Sequence, residues 1–468
     1  MILLPRYRLE MPRLLFRGGN PAITPYYGLV KYGPYETPAL RFEKVVILSS
    51  SEFKTIAMKV KDALKEGIEQ LFPGGFARIF GLDVDFELIE VKKYDIYEYK
   101  NTAEEFYRVF YNECQDSSTC FPVILINKTP RGLYESLYIE LKYKFAIDGI
   151  PTQIITYETF SDEQKFQWSI FPLATQIFVK MGGVPFILGD RLNVSNDEGT
   201  IFIGVGLSRT RLPDKEVRYI GYALAFEENG KARLLKWSSY IYSRELLAEM
   251  LRKLIQDTVD EMLQSYPIDR FQKIHIIIHY SGKNISTLEE EYLRKAASEI
   301  KTIRNIYVIP YVVKIQESMY TLYDEENQCP DISSGNPTYL IDSGTAIRLK
   351  EDLFLLFTTG CALVEMRGTI LKRPNAQGSP SPLIVSIKRL ENAKYQLNDI
   401  ELIKSVFFMT RMNYASINNP ISKIPITVKY SKLLAQFTAK LVHANIDSRE
   451  VNIDSIMPNS LKKVLWFI

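Results

Sequence analysis

The stretch from Thr200 to Val313 constrains the fold more than any other part of the sequence, because its apolar runs predict strands and helices in one fixed order. Three strands follow one another through short polar turns, which is typical of an antiparallel meander. A helix, a strand, a second helix and a last strand come next. The strands are expected at Thr200–Ser208, Val217–Phe226, Ala232–Ile241, Ile274–His279 and Ile306–Val313.

The two helices of this stretch begin at capping residues. Ser243 is placed to cap a helix that carries leucines at helical spacing. Ser286 with Glu289 three residues later forms a capping-box pattern. Three antiparallel strands followed by helix, strand, helix and strand is the order of an RNase H-like domain, so we predict such a domain in the second part of the chain.

The first part of the chain, up to about Lys180, alternates short apolar strands with amphipathic helices, which is typical of a layered α/β unit with parallel strands. Strands are expected at Val45–Leu48, Val84–Glu90, Pro122–Ile126 and Gln153–Thr156, and helices at Glu52–Leu71, Ala103–Cys114 and Gly132–Ala146. The pattern predicts a Rossmann-like domain. It lacks a GxGxxG segment, so a dinucleotide is not indicated.

Composition and charge limit the function classes. The chain has 468 residues and a formal net charge of +3, which is too small to indicate a polyanionic partner, so any nucleic-acid site must be a local cluster of cations. Prolines and arginines interrupt the N-terminal apolar stretch, and no segment reaches the ~18 apolar residues of a membrane span. We therefore expect a cytoplasmic protein without a transmembrane segment. Cys114 and Cys120 lack the partners of a zinc site, and a disulfide between them stays open.

In two pairs of residues, a lysine follows a polar residue by four positions, so both side chains of each pair could lie on the same side of a helix. Tyr138 and Lys142 form the first pair and Gln176 and Lys180 the second, while Gln153 lies at the start of a predicted strand. A terminal phosphate needs cations for its dense charge and several donors for its oxygens, which such a cluster supplies. The alternative for each pair alone is a solvated helix edge with snorkelling side chains.

The residue types at Gly206 and Ser281 determine whether the protein could cleave nucleic acid or only bind it. Gly206 lies where the first strand of an RNase H-type nuclease would carry a metal-binding aspartate, and Ser281 follows the next long apolar strand, where another carboxylate is expected. Two-metal hydrolysis requires several anionic oxygens around cations ~3.5–4 Å apart. Glycine offers none, and serine offers one weak neutral ligand. We expect His275, His279 and His443 to be structural rather than metal ligands.

Several short motifs follow one another along the chain in a characteristic order. They are GLVKYGPY, the Tyr138/Lys142 pair, Gln153, the Gln176/Lys180 pair, MGGVPF, IFIGVGLSR, IIIHYSG and the stretch from RMNYASINN to IPITVKYSKLLA. In this order they resemble the MID and PIWI domains of prokaryotic Argonautes, most of all the short archaeal Piwi-like kind without N and PAZ domains. The resemblance implies an α/β fold with a Rossmann-like MID domain at 41–185, an RNase H-like PIWI domain at 186–468, and an N-terminal segment at 1–40 packed on the PIWI domain.

The resemblance also implies a role for each member of the predicted phosphate cluster. Lys142 and Lys180 would neutralise the 5′ phosphate of a guide strand. Gln153 and Gln176 would donate hydrogen bonds to it, and Tyr138 would stack under the first base.

In relatives the terminal carboxylate of the chain helps to hold a divalent cation that bridges phosphates. Here this would be the carboxylate of Ile468 with Mg²⁺, a hard cation that prefers oxygen ligands. Cleaving Argonautes carry a carboxylate tetrad, and Gly206, Ser281 and, in the fourth place, Lys432 replace its members. The resemblance thus implies a protein that binds a small guide nucleic acid and recognises complementary targets without cleaving them. A role in defence with a separate effector protein follows from the same resemblance.

Two alternatives remain open at the level of sequence. A working nuclease could use displaced carboxylates, for which Asp214 and Glu216 in a charged turn are the candidates. A pure interaction scaffold would instead show no salt-sensitive binding of single strands. Whether guide and target are RNA or DNA is open as well.

Overall fold

The computed structural model describes residues 4–38, 42–212, 215–237, 244–264, 270–282, 284–331, 334–366, 369–374, 381–391, 396–417, 422–443 and 458–468. The helices are α1 Pro25–Tyr32, α2 Lys54–Glu66, α3 Gly75–Phe80, α4 Tyr99–Glu113, α5 Arg131–Ile147, α6 Tyr157–Phe160, α7 Glu163–Lys180, α8 Arg244–Gln264, α9 Thr287–Arg304, α10 Asp399–Met409 and α11 Ile426–His443. The first strands are β1 Arg6–Arg8, β2 Leu14–Leu15, β3 Pro21–Ala22, β4 Lys44–Ser50, β5 Gly67–Ile68, β6 Phe72–Pro73, β7 Asp85–Val91, β8 Cys120–Ile126, β9 Gln153–Thr156 and β10 Ile187–Leu188. The later strands are β11 Glu198–Leu212, β12 Lys215–Glu227, β13 Ala232–Trp237, β14 Lys273–Tyr280, β15 Tyr307–Glu317, β16 Thr345–Lys350, β17 Leu353–Leu356, β18 Cys361–Met366, β19 Thr369–Pro374 and β20 Leu383–Arg389.

The first sheet has the order β7-β4-β8-β9, and all its neighbouring strands are parallel. The central strands β4 and β8 are almost wholly buried because helices cover both faces of the sheet, as parallel sheets require, whereas the edge strand β7 is only partly buried. The four strands predicted for this part are confirmed within a few residues. The helix expected at Glu52–Leu71 ends at Glu66 instead, because Gly67 has a positive φ of 91° and continues into the short strand β5.

The second sheet has nine strands in the order β1-β16-β17-β20-β15-β14-β11-β12-β13. Strands β11, β12 and β13 form the predicted antiparallel meander, and β14 and β15 continue it in parallel after the crossover helices α8 and α9. The capping box of Ser286 and Glu289 opens α9 as predicted. Ser243, the predicted cap of α8, lies outside the described residues.

Three hydrophobic clusters hold these layers together. One lies between the four-stranded sheet and helices α4 and α5, and a second lies between the nine-stranded sheet and helices α8 and α9. The third and largest fills the space between the two sheets, with contributions from α7, α10 and α11. The two sheets therefore share one central core. A site at the edge of this core can contain side chains from both parts of the chain.

The N-terminal residues contribute to the second part of the molecule. Strand β1 pairs with β16 at the edge of the nine-stranded sheet, and β2 lies between β3 and β10. The division into three segments stays a prediction, although β10 lies where the second boundary was expected. Among the described residues, no helix is both long and apolar enough to cross a membrane.

The cysteines pair differently from the one pairing that the sequence suggested. Cys114 and Cys120 are buried and free, whereas Cys329 and Cys361 form a disulfide. This bond connects the segment after β15 to β18, across a sequence separation of 32 residues. Sequence spacing could not reveal it because Cys329 lies in a loop and Cys361 begins β18, and both belong to the long segment between β15 and β20.

Candidate functional site

Lys142 and Lys180 meet at a single main-chain oxygen. The Lys142 Nζ donates to Thr152 O at 2.5 Å, and the Lys180 Nζ donates to the same oxygen at 3.2 Å. Lys180 also donates to the Gln153 Oε1 at 2.5 Å, and Lys142 donates to Trp466 O at 3.1 Å. Three of the predicted site residues thus form one cluster around the start of β9.

Three elements place these side chains together. Lys142 lies on the inner side of α5, and Lys180 is the last residue of α7, where Gly182 with a φ of 95° ends the helical path. The chain between α5 and β9 brings Thr152 between the two helices. Because the carbonyl of Thr152 precedes the first paired residue of β9, it is free to accept from both lysines.

The two lysines are buried, so the alternative of a solvated helix edge is wrong for both. Lys142 is 2% exposed and Lys180 is 1% exposed. Burial lowers the pKa of Lys142 to about 7. Burial, and then the charge of Lys142, lower the pKa of Lys180 well below its ordinary value. Since neither ammonium forms an ion pair with a carboxylate among the described residues, the cluster is short of negative charge.

The remaining predicted residues lie around this cluster in different ways. The Gln153 amide also donates to Ile154 O at 3.1 Å, whereas the Gln176 amide donates to Ala415 O at 3.4 Å, towards the loop after α10. Tyr138 lies one turn before Lys142, partly exposed, with its ring centroid 6.1 Å from that of Tyr134. Burial raises the pKa of the Tyr138 phenol.

The last described residues, 458–468, cover the lysine cluster. Trp466 is fully buried, with its ring near the Lys142 ammonium and 5.4 Å from the ring of Phe437 on α11. Ile468 is partly exposed and packs against the central core. Trp466 accepts a hydrogen bond from Lys142 through its main-chain oxygen. Any residue type has such an oxygen, so the sequence indicated only that this segment is apolar.

Gly206 lies directly under helix α11. A Cβ atom at this position would lie 2.4 Å from Ser431 C and 2.5 Å from Lys432 N, and one at Gly204 would lie 2.0 Å from Thr427 O. The Ser431 hydroxyl also donates to Gly204 O at 2.8 Å. The two glycines therefore allow the backbone of α11 to lie against β11, and the predicted place of the first carboxylate has no room for any side chain.

The three positions predicted to replace carboxylates come together in space. Lys432 N is next to Gly206, and Ser281 follows β14 one residue beyond the registered pair of Val205 with Tyr280. Ser281 is buried, and its hydroxyl has no hydrogen-bond partner among the described residues. Asp214, the candidate for a displaced ligand, lies outside the described residues, and Glu216 lies in β12 rather than in a turn.

The two central histidines are bonded within the core. His279 lies between the hydroxyls of Thr427 and Ser405 at 2.8 and 3.0 Å, and burial lowers its pKa to about 3. His275 lies between Tyr311 and Glu198 at 3.1 and 3.2 Å. In the described part of the chain, no group of three or more His, Cys, Asp or Glu side chains could hold a metal ion.

Comparison with known proteins agrees with this architecture. Residues 120–443 match the model of the Piwi domain. The chain belongs to the Piwi domain family. A Piwi protein of Archaeoglobus fulgidus is 23% identical over 450 residues, which cover 93% of this chain and 94% of that protein. The predicted α/β fold, a Rossmann-like MID unit followed by an RNase H-like Piwi domain, is thereby confirmed, as is the resemblance to Piwi-like Argonautes.

A solved structure shows the same fold. Clostridium butyricum Argonaute, bound to a guide DNA and a 19-mer target DNA, superposes with a TM-score of 0.64 at 16% sequence identity. The match covers 93% of this chain and 53% of that one, so the chain spans about half the length of the Argonaute it resembles. At this identity the likeness is one of fold.

Proposed function

We propose that this Piwi-domain protein anchors the 5′ phosphate of a small guide strand at Lys142 and Lys180 and uses the guide to recognise complementary strands without cleaving them. The observation that carries the proposal is the pair of buried lysines whose only acceptors, among the described residues, are the neutral oxygens of Thr152, Gln153 and Trp466. Neutral oxygens compensate two buried cations poorly, whereas a phosphate dianion would compensate both.

The likeness in fold to an Argonaute that holds a guide DNA and a target DNA supports a strand as the source of the phosphate. Paired strands are recognised largely through shape and backbone, while base pairing reads the sequence, so such a protein needs few base contacts of its own.

The proposed lack of cleavage is supported by the packing at Gly206. The backbone of α11 at Ser431 and Lys432 occupies the place where the first carboxylate would project. Two divalent cations need anionic ligands at this point. Neither Gly206 nor the neutral Ser281 hydroxyl provides one.

A magnesium ion at the guide end stays part of the proposal on the strength of the resemblance. The protein groups around the lysines do not form a magnesium site on their own, because the two ammonium groups repel a cation and the nearby oxygens are neutral. Phosphate oxygens and the Ile468 carboxylate would have to supply the ligands. If they do, chelation of divalent cations lowers the affinity for a 5′-phosphorylated strand and leaves a 5′-hydroxyl strand unaffected.

The pocket is tested by titrating the full chain with oligonucleotides of one sequence that differ only in a 5′ phosphate or a 5′ hydroxyl. We expect tighter binding of the phosphorylated strand, and loss of this difference in Lys142→Met and Lys180→Met. Lys144→Met is the matched control, since Lys144 lies on the same helix but pairs with Glu104 at the surface. Equal affinity of the wild-type chain for both strands would contradict the assignment.

Cleavage is tested separately with a labelled target complementary to the loaded guide, in magnesium and in manganese. We expect no product whose length depends on the guide, and such a product would contradict the proposal. A separate effector protein and a role in defence rest on the resemblance alone. Both expectations can be tested on the full chain purified from cells. Proteins that co-purify with it would reveal an effector, and sequencing of the co-purified strands would show whether they come from invading nucleic acid.

A further inference from the structure

The segment between β15 and β16 lies beside the edge strand β1 and is called here the acidic lobe (residues 318–331 and 334–342). Between Lys314 and Arg348 the sequence has six acidic residues and no lysine, arginine or histidine. The chain as a whole has a formal net charge of +3. The acidic lobe is therefore a locally negative surface on a weakly positive protein, and it would attract cations and repel polyanions.

The acidic lobe is bound to the hairpin of β18 and β19. The disulfide joins Cys329 to Cys361 at the start of β18, and Lys372 of β19 pairs with Asp342 at 2.8 Å. Within the lobe, Thr338 N donates to Cys329 O at 2.8 Å. Because these contacts restrain the loop, a partner would lose less affinity to the ordering of this surface than on an unrestrained loop.

Two arginines of β1 already bind carboxylates of the acidic lobe. Arg6 pairs with Asp324 at 2.7 Å, and Arg8 pairs with Asp342 at 2.6 Å. The two arginines lie two positions apart on one strand, so both side chains leave the same face of it. The lobe thus accepts guanidinium groups that an extended segment presents at alternate positions.

The acidic lobe also exposes large apolar side chains. Met319 is fully exposed, and Tyr320 and Tyr339 are 63% and 42% exposed. In the described part of the chain, no other ring and no cation lies against the rings of Tyr320 and Tyr339. By contrast, the exposed ring of Tyr307 has the Lys301 ammonium 4.2 Å from its centroid. Exposed rings next to carboxylates suit a cation, and a planar guanidinium group can stack on them.

We propose that the acidic lobe binds an extended, arginine-rich segment of a partner protein, whose guanidinium groups stack on Tyr320 and Tyr339 and pair with Glu325 and Glu326. Both glutamates are exposed, and their carboxylates form no ion pair with any described residue. The charge of the lobe selects this occupant, because the phosphates of a nucleic acid would meet carboxylates instead of cations. The inference goes beyond the proposed function and does not rest on it, since it concerns a protein partner and residues outside the lysine cluster.

The test measures binding of labelled peptides to the full chain by fluorescence anisotropy. The probes are a peptide of four Arg-Gly-Ser repeats and its counterparts with lysine or glutamate in place of arginine. We expect the arginine peptide to bind about tenfold more tightly than the lysine peptide, because lysine has no planar group to stack on the rings. The glutamate peptide should not bind, and binding of the arginine peptide should weaken as the salt concentration rises.

Two double variants remove the proposed contacts. Tyr320→Ala with Tyr339→Ala, and Glu325→Gln with Glu326→Gln, should each weaken binding of the arginine peptide about tenfold. All four side chains are exposed, so the melting temperature of both variants should equal that of the wild type. Equal binding of the arginine peptide to the wild type and to both variants, or equal binding of the arginine and lysine peptides, would overturn the proposal.

The matched controls lie in the first part of the chain. Tyr97→Ala removes a ring that is 73% exposed, and Glu66→Gln with Glu69→Gln removes two exposed charges. Neither change should alter peptide binding.

Two further measurements identify a different occupant and would then contradict the proposal. The first is a dimer of the full chain in light scattering that dissociates in Tyr320→Ala with Tyr339→Ala, which would make a second copy the occupant. The second is weaker binding of a 5′-hydroxyl oligonucleotide by the same variant, which would make nucleic acid the occupant. None of these outcomes bears on the 5′-phosphate test, which compares two oligonucleotides at the lysine cluster.

Discussion

Lys142 and Lys180 share one hydrogen-bond acceptor, the carbonyl oxygen of Thr152, at 2.5 and 3.2 Å. Two ammonium groups at one neutral oxygen, both buried, repel each other in a medium of low polarity. The free protein relieves this repulsion by releasing protons, whereas a bound phosphate would stabilise both charges. If the site binds the proposed phosphate, binding of the anion and uptake of protons are coupled, and this coupling yields predictions that a solvated pair of lysines would not.

The affinity for a 5′-phosphorylated strand should fall as the pH rises above about 7. Burial lowers the pKa of Lys142 to about 7, so above pH 7 Lys142 is largely neutral in the free protein. Burial and the charge of Lys142 lower the pKa of Lys180 well below its ordinary value in the same direction. Binding of the phosphate then requires proton uptake, and each proton lowers the affinity by up to about tenfold per pH unit. Calorimetry between pH 7 and 9, in buffers of different ionisation enthalpy, measures this uptake. The same strand with a 5′ hydroxyl is the control, and a phosphate preference that is independent of pH would contradict the coupling.

Lys142→Met should stabilise the free protein, although it should also abolish the proposed phosphate binding. Lysine in the unfolded chain stays protonated up to about pH 10, whereas Lys142 in the folded chain has a pKa of about 7. The unfolded chain thus binds more protons between these values, and the wild-type free energy of unfolding rises with pH in this window. We expect the variant to exceed the wild type by about 1–3 kcal/mol near pH 7, with a gap that narrows towards pH 10. Chemical unfolding at both pH values measures it. Lys144→Met should have the same free energy of unfolding as the wild type at both pH values. A Lys142→Met variant that is less stable than the wild type at pH 7 would contradict the expected effect of burial on Lys142.

Gly206→Ala should destabilise the fold by about 1–3 kcal/mol or more, because the added methyl group would meet the backbone of α11 at 2.4 Å. Gly206→Asp should be worse and should not create nuclease activity. Gly132→Ala is the matched control. A Cβ at that position meets nothing within 4 Å, and Gly132 lies in the first turn of α5, so this change should be neutral or stabilising. Thermal unfolding compares the variants, and equal melting temperatures for Gly206→Ala and wild type would show that α11 can move.

Reduction of the Cys329–Cys361 disulfide should lower the free energy of unfolding. The bond closes a sequence separation of 32 residues, for which the chain-entropy relation gives a contribution of about 3–4 kcal/mol. Urea unfolding with and without a reductant measures it, and Cys329→Ser should reproduce the reduced state. In Cys114→Ser the effect of the reductant should persist, because Cys114 is a free thiol. No difference between oxidised and reduced protein would contradict the expectation.

Much of the fold followed from the sequence because its signals are local. Short apolar runs predicted the four strands of the first sheet and the meander of the second, and the pattern of Ser286 with Glu289 predicted the start of α9. The helix from Glu52 was predicted too long, since side-chain periodicity continued past Gly67 while the backbone turned there. The strands at the edge, such as β1, had no pattern of their own, because their pairing partners lie hundreds of residues away.

The sequence by itself determined the residue types of the candidate site, since helical spacing and the order of motifs singled out Lys142, Lys180 and Gln153. Only the tertiary structure decided that these three share neutral oxygens in a buried cluster, with Trp466 covering it and Gln176 directed elsewhere. The same division holds at Gly206, whose missing side chain is visible in the sequence but whose contact with α11 is not. The physical reason is that burial and a shared hydrogen-bond acceptor depend on distances between elements that are far apart in the chain. The spacing of residues within one element does not determine these distances.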